Sequence, residues 1–207
     1  MKHNLKQIES LMVKARLLGT MESISTGCKH DMYFFKDILE GISILYIPDD
    51  VEYITEYNDS PSYCNIECKT LIVLGGRNLK DTSNMFRNCQ AQSIDLSNLD
   101  TSKVTDMDEM FLGCKAQSID FSNFNTSQVI NMSGMFFGCE AQSLDLSSFN
   151  TINVGDMQEM FSGCSAQFID LSSFDTSSIE NMYDMFDMCI AEVKTTDHRI
   201  LDALYSR

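Results

Sequence analysis

Four aspartates recur at intervals of 25 residues, Asp95, Asp120, Asp145 and Asp170, each set among apolar residues as in "SIDLSNL". Each has a serine two residues on: Ser97, Ser122, Ser147 and Ser172. If these segments are strands of one parallel ladder, successive carboxylates stand about 4.8 Å apart. Neighbours at that distance repel by about 0.9 kcal/mol even at the dielectric of water. The result is a narrow negative strip with hydroxyls beside it. Such a strip steers and selects a basic partner by charge. Two other uses compete with that reading. One is a hydrated repeat pattern bonded to the nearby hydroxyls. The other is a cation site, although calcium needs oxygens converging on one point rather than spread along a line. The partner-binding residues expected are these four aspartates and four serines, and the partner expected is a protein with a basic surface.

Cys28, His30, Cys64 and Cys68 come nearest to a metal set. "CKH" and "CNIEC" offer four zinc ligands between them, but neither has the CxxC spacing. Packed or free thiols are expected there, with no metal and no cofactor. The three histidines, His3, His30 and His198, stand in no nucleophile or metal motif. There is no P-loop, GxGxxG, HExxH or GxSxG. Repeated carboxylates become an acid–base pair only where a pocket drives their pKa values apart. No enzymatic activity is expected.

The elements that position the aspartates come from a long-range repeat. Cys89, Cys114, Cys139, Cys164 and Cys189 are 25 residues apart, and so are the Met-Phe pairs that begin at Met85, Met110, Met135, Met160 and Met185. A period in this range with a short "IxLxxL" strand is the mark of leucine-rich repeats. Ile94 and Leu96 alternate with Asp95 and Ser97, as in a half-buried strand. Leu99, Phe124, Phe149 and Phe174 share one position and should stack as a column. Met107, Met110 and Phe111 fall at helical spacing. Asp106, Asn131, Asp156 and Asn181 precede that run as N-caps, with Glu109 and Glu159 completing capping boxes. Gly113, Gly138 and Gly163 stand where a helix would end left-handed, with Asn88 in the leader. Met188 breaks that rule, so the array is expected to distort or end there.

The expected fold is therefore an α/β solenoid of leucine-rich repeats, with parallel strands and short helical turns. Residues 1–65 form an N-terminal helical or α+β cap with room for an irregular early repeat. Residues 66–190 hold one degenerate and four full repeats, and residues 191–207 form a C-terminal cap. In the first cap, Leu5, Ile8, Met12 and Ala15 predict a helix to Gly19. "MYFFKDIL" predicts a second helix, and "ISILYIPDD" and "TLIVLGG" predict strands. Ile200, Leu201 and Leu204 predict a short closing helix. A parallel β-helix is the alternative fold, and the regular helix caps argue against it. One repeat cannot bury its own apolar face, so burial requires stacked neighbours. The five ladder cysteines then serve as small apolar fillers.

The pattern "LDLSSF(N/D)T…V.(D/N)M..MF.GC" resembles the BspA-type leucine-rich repeat, the 25-residue repeat of mycoplasma surface lipoproteins. The resemblance covers about residues 66–190. It implies a solenoid used for binding, and it implies a bacterial surface protein or adhesin as one function.

Charge narrows the partners. The formal net charge is −15, and residues 91–190 hold 15 acidic side chains against Lys103 and Lys115 alone. Direct contact with nucleic acid is not expected, because phosphates are held by Lys and Arg. No membrane contact is expected either. "MKHNLKQIESLMVKARLLGT" is interrupted by Glu9, Lys14 and Arg16, so no signal-peptide core forms. A cytoplasmic location is expected. The sharpest function consistent with these features is an inhibitor of a nucleic-acid-binding effector, of the anti-CRISPR type, from a phage or other mobile element. The alternative is a cell-surface adhesin or lipoprotein fragment.

Overall fold

A computed structural model describes residues 6, 10, 12–13, 21–24, 32–39, 41–53, 62–65 and 67–205. The chain winds as a parallel β-solenoid of about six turns. Its strands are β1 (Met21–Ile24), β2 (Met32–Leu39), β3 (Ile42–Ile47), β4 (Thr70–Gly75), β5 (Ser93–Leu99), β6 (Ser118–Asp120), β7 (Ser143–Asp145), β8 (Phe168–Asp170) and β9 (Glu192–Lys194). Strands β3 to β6 are joined in parallel, as are β7 to β9. Strands β1 and β2 add antiparallel to the β3 edge. A short helix, α1 (His198–Tyr205), follows the last strand. The expected strands over "ISILYIPDD" and "TLIVLGG" and the closing helix are where the sequence placed them. The parallel pairing reaches back to β3, ahead of the stretch that shows the 25-residue repeat.

The helical turns are corrected. The segment after each strand is a ribbon of consecutive tight turns, linked to the next coil. Amides of Met110, Leu112 and Cys114 donate three residues back, to Met107, Glu109 and Phe111 at 3.3, 3.0 and 3.1 Å. The alternate amides leave the coil altogether. Met107, Glu109, Phe111 and Gly113 donate to the carbonyls of Asn131, Ser133, Met135 and Phe137 at 3.0, 2.9, 2.9 and 2.7 Å. This alternation needs two left-handed residues per coil. One column is Asn88, Gly113, Gly138, Gly163 and Met188; the other is Asn84, Glu109, Gly134, Glu159 and Asp184. Met188 itself adopts φ 53°, so the ribbon does not distort there, and β9 still pairs after it. Glu109 and Glu159, at φ 52° and 53°, are ribbon residues and not capping-box partners.

"MYFFKDIL" is strand β2, not a helix. Met32 and Phe34 face the solenoid interior, while Phe35 joins Ile44, Ile72 and Leu74 in a second cluster on the outer face of the sheet. Both faces are covered, so the run lacks polar alternation and reads as continuously apolar. Of the expected N-terminal helix, Lys6, Ser10, Met12 and Val13 are helical, and Met12 packs on that outer cluster. Leu5, Ile8, Ala15 and Gly19 lie outside the described residues.

The interior is layered by type. Phe124, Phe149 and Phe174 stack as expected, with centroids 6.0 and 6.4 Å apart. Phe86, Phe111, Phe136, Phe161 and Phe186 form a second stack at 5.2 to 5.6 Å. Phe121 stands edge-on between the two, 5.2 Å from Phe124 and 5.6 Å from Phe136. Such offset and edge contacts add to the burial of each ring. Cys89, Cys114, Cys139, Cys164 and Cys189 are buried free thiols in one column, and burial pushes the Cys164 thiol up to about 12.

A buried threonine column joins the coils. Thr101, Thr126 and Thr151 each donate Oγ1 to a carbonyl one coil on, at 3.1, 2.9 and 2.9 Å. Each hydroxyl also accepts the amide of that same residue, at 2.9, 2.8 and 2.8 Å. At the end of the array the carboxylate of Asp197 takes the place of the missing carbonyl, accepting from Thr176 Oγ1 at 2.8 Å. Its other oxygen accepts the amides of Arg199 and Ile200, which caps α1. Arg199 donates to the carbonyls of Thr176 and Ile179 at 2.6 and 2.8 Å. Asp197 and Arg199 thus close this side of the last coil.

Candidate functional site

The repeated aspartates stand on one side of the strand ladder. Asp95 pairs with Asp120, and Asp145 with Asp170, at equal register. Ile72 precedes Asp95 in the ladder, and Lys194 follows Asp170. The strip is therefore bounded by an apolar residue at one end and a cation at the other.

Each aspartate has a local task that explains why it interrupts an apolar segment. Strands β6, β7 and β8 end at their aspartate, and β5 runs on to Leu99 with its register against β4 shifted just after Asp95. Oδ1 of Asp95, Asp120, Asp145 and Asp170 accepts the backbone amide of Ser97, Ser122, Ser147 and Ser172 at 3.0, 3.0, 3.1 and 2.9 Å. This is an Asx turn, in which a short side chain replaces a backbone acceptor. The serine contributes its amide in every coil, and its hydroxyl reaches the carboxylate at Ser147, 2.6 Å from Asp145 Oδ1.

The four carboxylates are not equivalent. Asp95 and Asp120 are half-buried and Asp145 is exposed. Asp170 is buried, and Lys194 Nζ lies 2.8 Å from its Oδ2. The Lys194 ammonium, helped by the hydroxyl and amide of Ser172, holds the Asp170 carboxyl down to about 2. The structure thus gives Asp170 an internal counter-ion, while Asp145 stands exposed and Asp95 and Asp120 half-buried. Ser97 is half-buried; Ser122, Ser147 and Ser172 are exposed.

Two further columns of side chains make Asx turns. Asp100, Asn125, Asn150 and Asp175 accept amides two residues on at 3.0, 3.0, 3.2 and 2.9 Å. Asp106, Asn131, Asp156 and Asn181 do the same at 3.0, 2.9, 2.8 and 3.1 Å. The latter also form a line of parallel bridges that begins at Asp81. Beside them Asp108 is half-buried, and burial, then Glu109, Asp106, Asp156 and Asp81, push its carboxyl up to about 6. Arg87 pairs with Glu109 across this column. The sequence signal for the Asp106, Asn131, Asp156 and Asn181 column is the N-cap pattern, since an N-cap and an Asx turn use the same side-chain hydrogen bond.

The zinc set is only partly in view. Cys28 and His30 lie outside the described residues. Cys64 is buried, with Sγ 3.5 Å from the Met85 carbonyl. Burial pushes the half-buried Cys68 thiol up to about 11. Among the described residues no group of three or more His, Cys, Asp or Glu side chains could hold a metal ion. Nor, among them, is any helix long and apolar enough to cross a membrane.

The fold and the repeated polar face define a parallel β-solenoid repeat protein. The chain belongs to the DUF285 family, described as a mycoplasma protein of unknown function, whose model matches residues 80–198. No curated protein matches the chain, and no solved structure does.

Proposed function

We propose that this protein is a non-enzymatic binding module of the BspA-like leucine-rich-repeat type, whose acidic repeat face docks on a basic surface of another protein. The observation that carries the reading is the recurrence of Asp95, Asp120 and Asp145 in equivalent Asx turns of successive coils, on a block with 15 acidic and two basic residues. Each carboxylate has one oxygen fixed by its Asx turn, so its position is set before any partner arrives. Preorganised charge of one sign steers association and discriminates between partners. Basic surfaces are what nucleic-acid-binding proteins use to hold phosphates. The sharp form of the proposal is therefore a cytoplasmic inhibitor that blocks nucleic acid from its effector, as an anti-CRISPR protein would.

The test is affinity capture from bacterial lysate with the tagged protein, eluted by a salt gradient. The reading expects basic nucleic-acid-binding proteins that leave as salt screens the strip. Retention of acidic or neutral proteins that resist salt would overturn it. The mycoplasma description of the family supports a second reading, a surface-displayed adhesin or lipoprotein fragment. Labelling of the protein on intact cells by a membrane-impermeant reagent would favour that one.

A further inference from the structure

The ribbon of turns has a direction. On the penultimate coil the amides of Met157, Glu159 and Gly163 donate to the carbonyls of Asn181, Tyr183 and Asp187 on the last coil, at 2.9, 2.9 and 2.7 Å. On the last coil the equivalent amides belong to Met182, Asp184 and Met188. They find no acceptor among the described residues. Asp197 and Arg199 close the threonine side of this coil, as described above, but the ribbon side stays open. A groove of about 430 Å³ runs there between the ribbon and Ala203 of α1.

The side chains around this edge are unlike those of the earlier coils. Tyr183, Met188 and Ile190 are 68%, 81% and 84% exposed. Glu180, Asp184 and Asp187 stand beside them, and residues 176–190 contain no Lys or Arg. These three carboxylates form no ion pair among the described residues. The edge therefore offers amide donors at alternate residues, apolar side chains and negative charge. In every earlier coil such donors are met by the backbone carbonyls of the coil that follows, so carbonyls of an added segment can meet them here.

A second copy of the chain does not fit. At the other end of the ladder the Met85 carbonyl already accepts from Cys64 Sγ, and Glu52 stands beside Lys80, its carbonyl accepting the Lys80 amide at 2.8 Å. Two last coils placed back to back would set donors against donors and acid against acid.

We infer that the open ribbon edge of the last coil is a docking site for a basic and apolar segment of another protein, whose backbone carbonyls continue the coil ladder by accepting from Met182, Asp184 and Met188. This surface is separate from the aspartate strip, so either can fail without the other. The test uses the full chain, labelled with nitrogen-15, and a short synthetic peptide alternating lysine and valine. The inference expects the amides of Met182, Asp184 and Met188 to shift and to gain protection from hydrogen exchange. The same peptide with glutamate for lysine should not bind. Glu180→Lys with Asp187→Lys should weaken binding by about tenfold or more, as charge reversal does at complementary interfaces. Met188→Gly should also weaken it, because it removes an exposed apolar side chain while suiting the left-handed backbone that Gly163 adopts one coil earlier. Three results would overturn the inference: shifts confined to the amides of Ser97, Ser122 and Ser147; no shifts at all; or protection of the edge amides by concentration-dependent dimerisation without peptide.

Discussion

Replacing Thr151 with valine isolates what holds one coil on the next. Thr151 is fully buried, and its hydroxyl both donates to the Asp175 carbonyl at 2.9 Å and accepts the Asp175 amide at 2.8 Å. Valine keeps the shape and removes both bonds. An unpaired buried polar group costs about 1–3 kcal/mol, so losing two sets a range of about 2–6 kcal/mol. The Asp175 side chain is exposed, so water reaches toward its backbone, and the lower part of that range applies, about 2–3 kcal/mol. Thr151→Ser keeps both bonds and removes one methyl group, at a cost of about 1 kcal/mol. Equilibrium urea unfolding followed by far-ultraviolet circular dichroism reads both, with an unchanged slope required for the comparison. Valine should cost more than serine. If valine were neutral and serine the more damaging, packing alone would hold the coils, and the role given to the threonine column would be wrong.

Three further outcomes follow from the structure. Burial and neighbouring carboxylates raise Asp108 to about 6, so the folded chain binds this proton more tightly than the unfolded one, and stability rises as pH falls from about 6 to 4. Asp108→Asn should therefore stabilise the protein at pH 7, by about 1 kcal/mol after discounting for solvent screening of a half-exposed group, with the gain fading below about pH 4 in pH-dependent thermal melts. Phe136 is stacked between Phe111 and Phe161 at 5.5 and 5.6 Å, so Phe136→Ala should cost about 3–5 kcal/mol in the same urea assay. Met188 holds φ 53° with an exposed side chain, so Met188→Gly should raise stability by about 0.5–1 kcal/mol, the left-handed penalty less the added entropy of glycine.

Much of this fold was legible because a period of 25 residues stacks identical side chains. The cysteine column and the Phe124, Phe149 and Phe174 column required only that neighbouring coils superpose. The sequence predicts helical turns where the structure has tight turns, for a definite reason. Tight turns that bond three residues back place Met107, Met110, Phe111 and Cys114 inward much as a helix does. Asp106 uses the same Oδ1-to-amide bond in an Asx turn as at an N-cap. The second left-handed column would have separated the two folds, but it is occupied by Asn84, Glu109, Gly134, Glu159 and Asp184, and only one of these is glycine. Strand β2 was hidden because both of its faces are covered. At the candidate site, the aspartate strip was visible as a repeat, but the neutralisation of Asp170 by Lys194 was not. Lys194 lies beyond the repeat pattern, and only the register of β8 with β9 brings it there.

The most direct test of the acidic face replaces Asp95, Asp120 and Asp145 together by asparagine. Asn125, Asn131, Asn150 and Asn181 already make the same Asx turn elsewhere in this chain, so the corners should keep their geometry while three charges are removed. The measurement is the binding isotherm of this variant against the partner captured by the unaltered protein, at low and at physiological salt. The account predicts an unchanged melting curve, an affinity at least about tenfold weaker at low salt, and a shallower salt dependence. An affinity and salt dependence equal to those of the unaltered protein would contradict it.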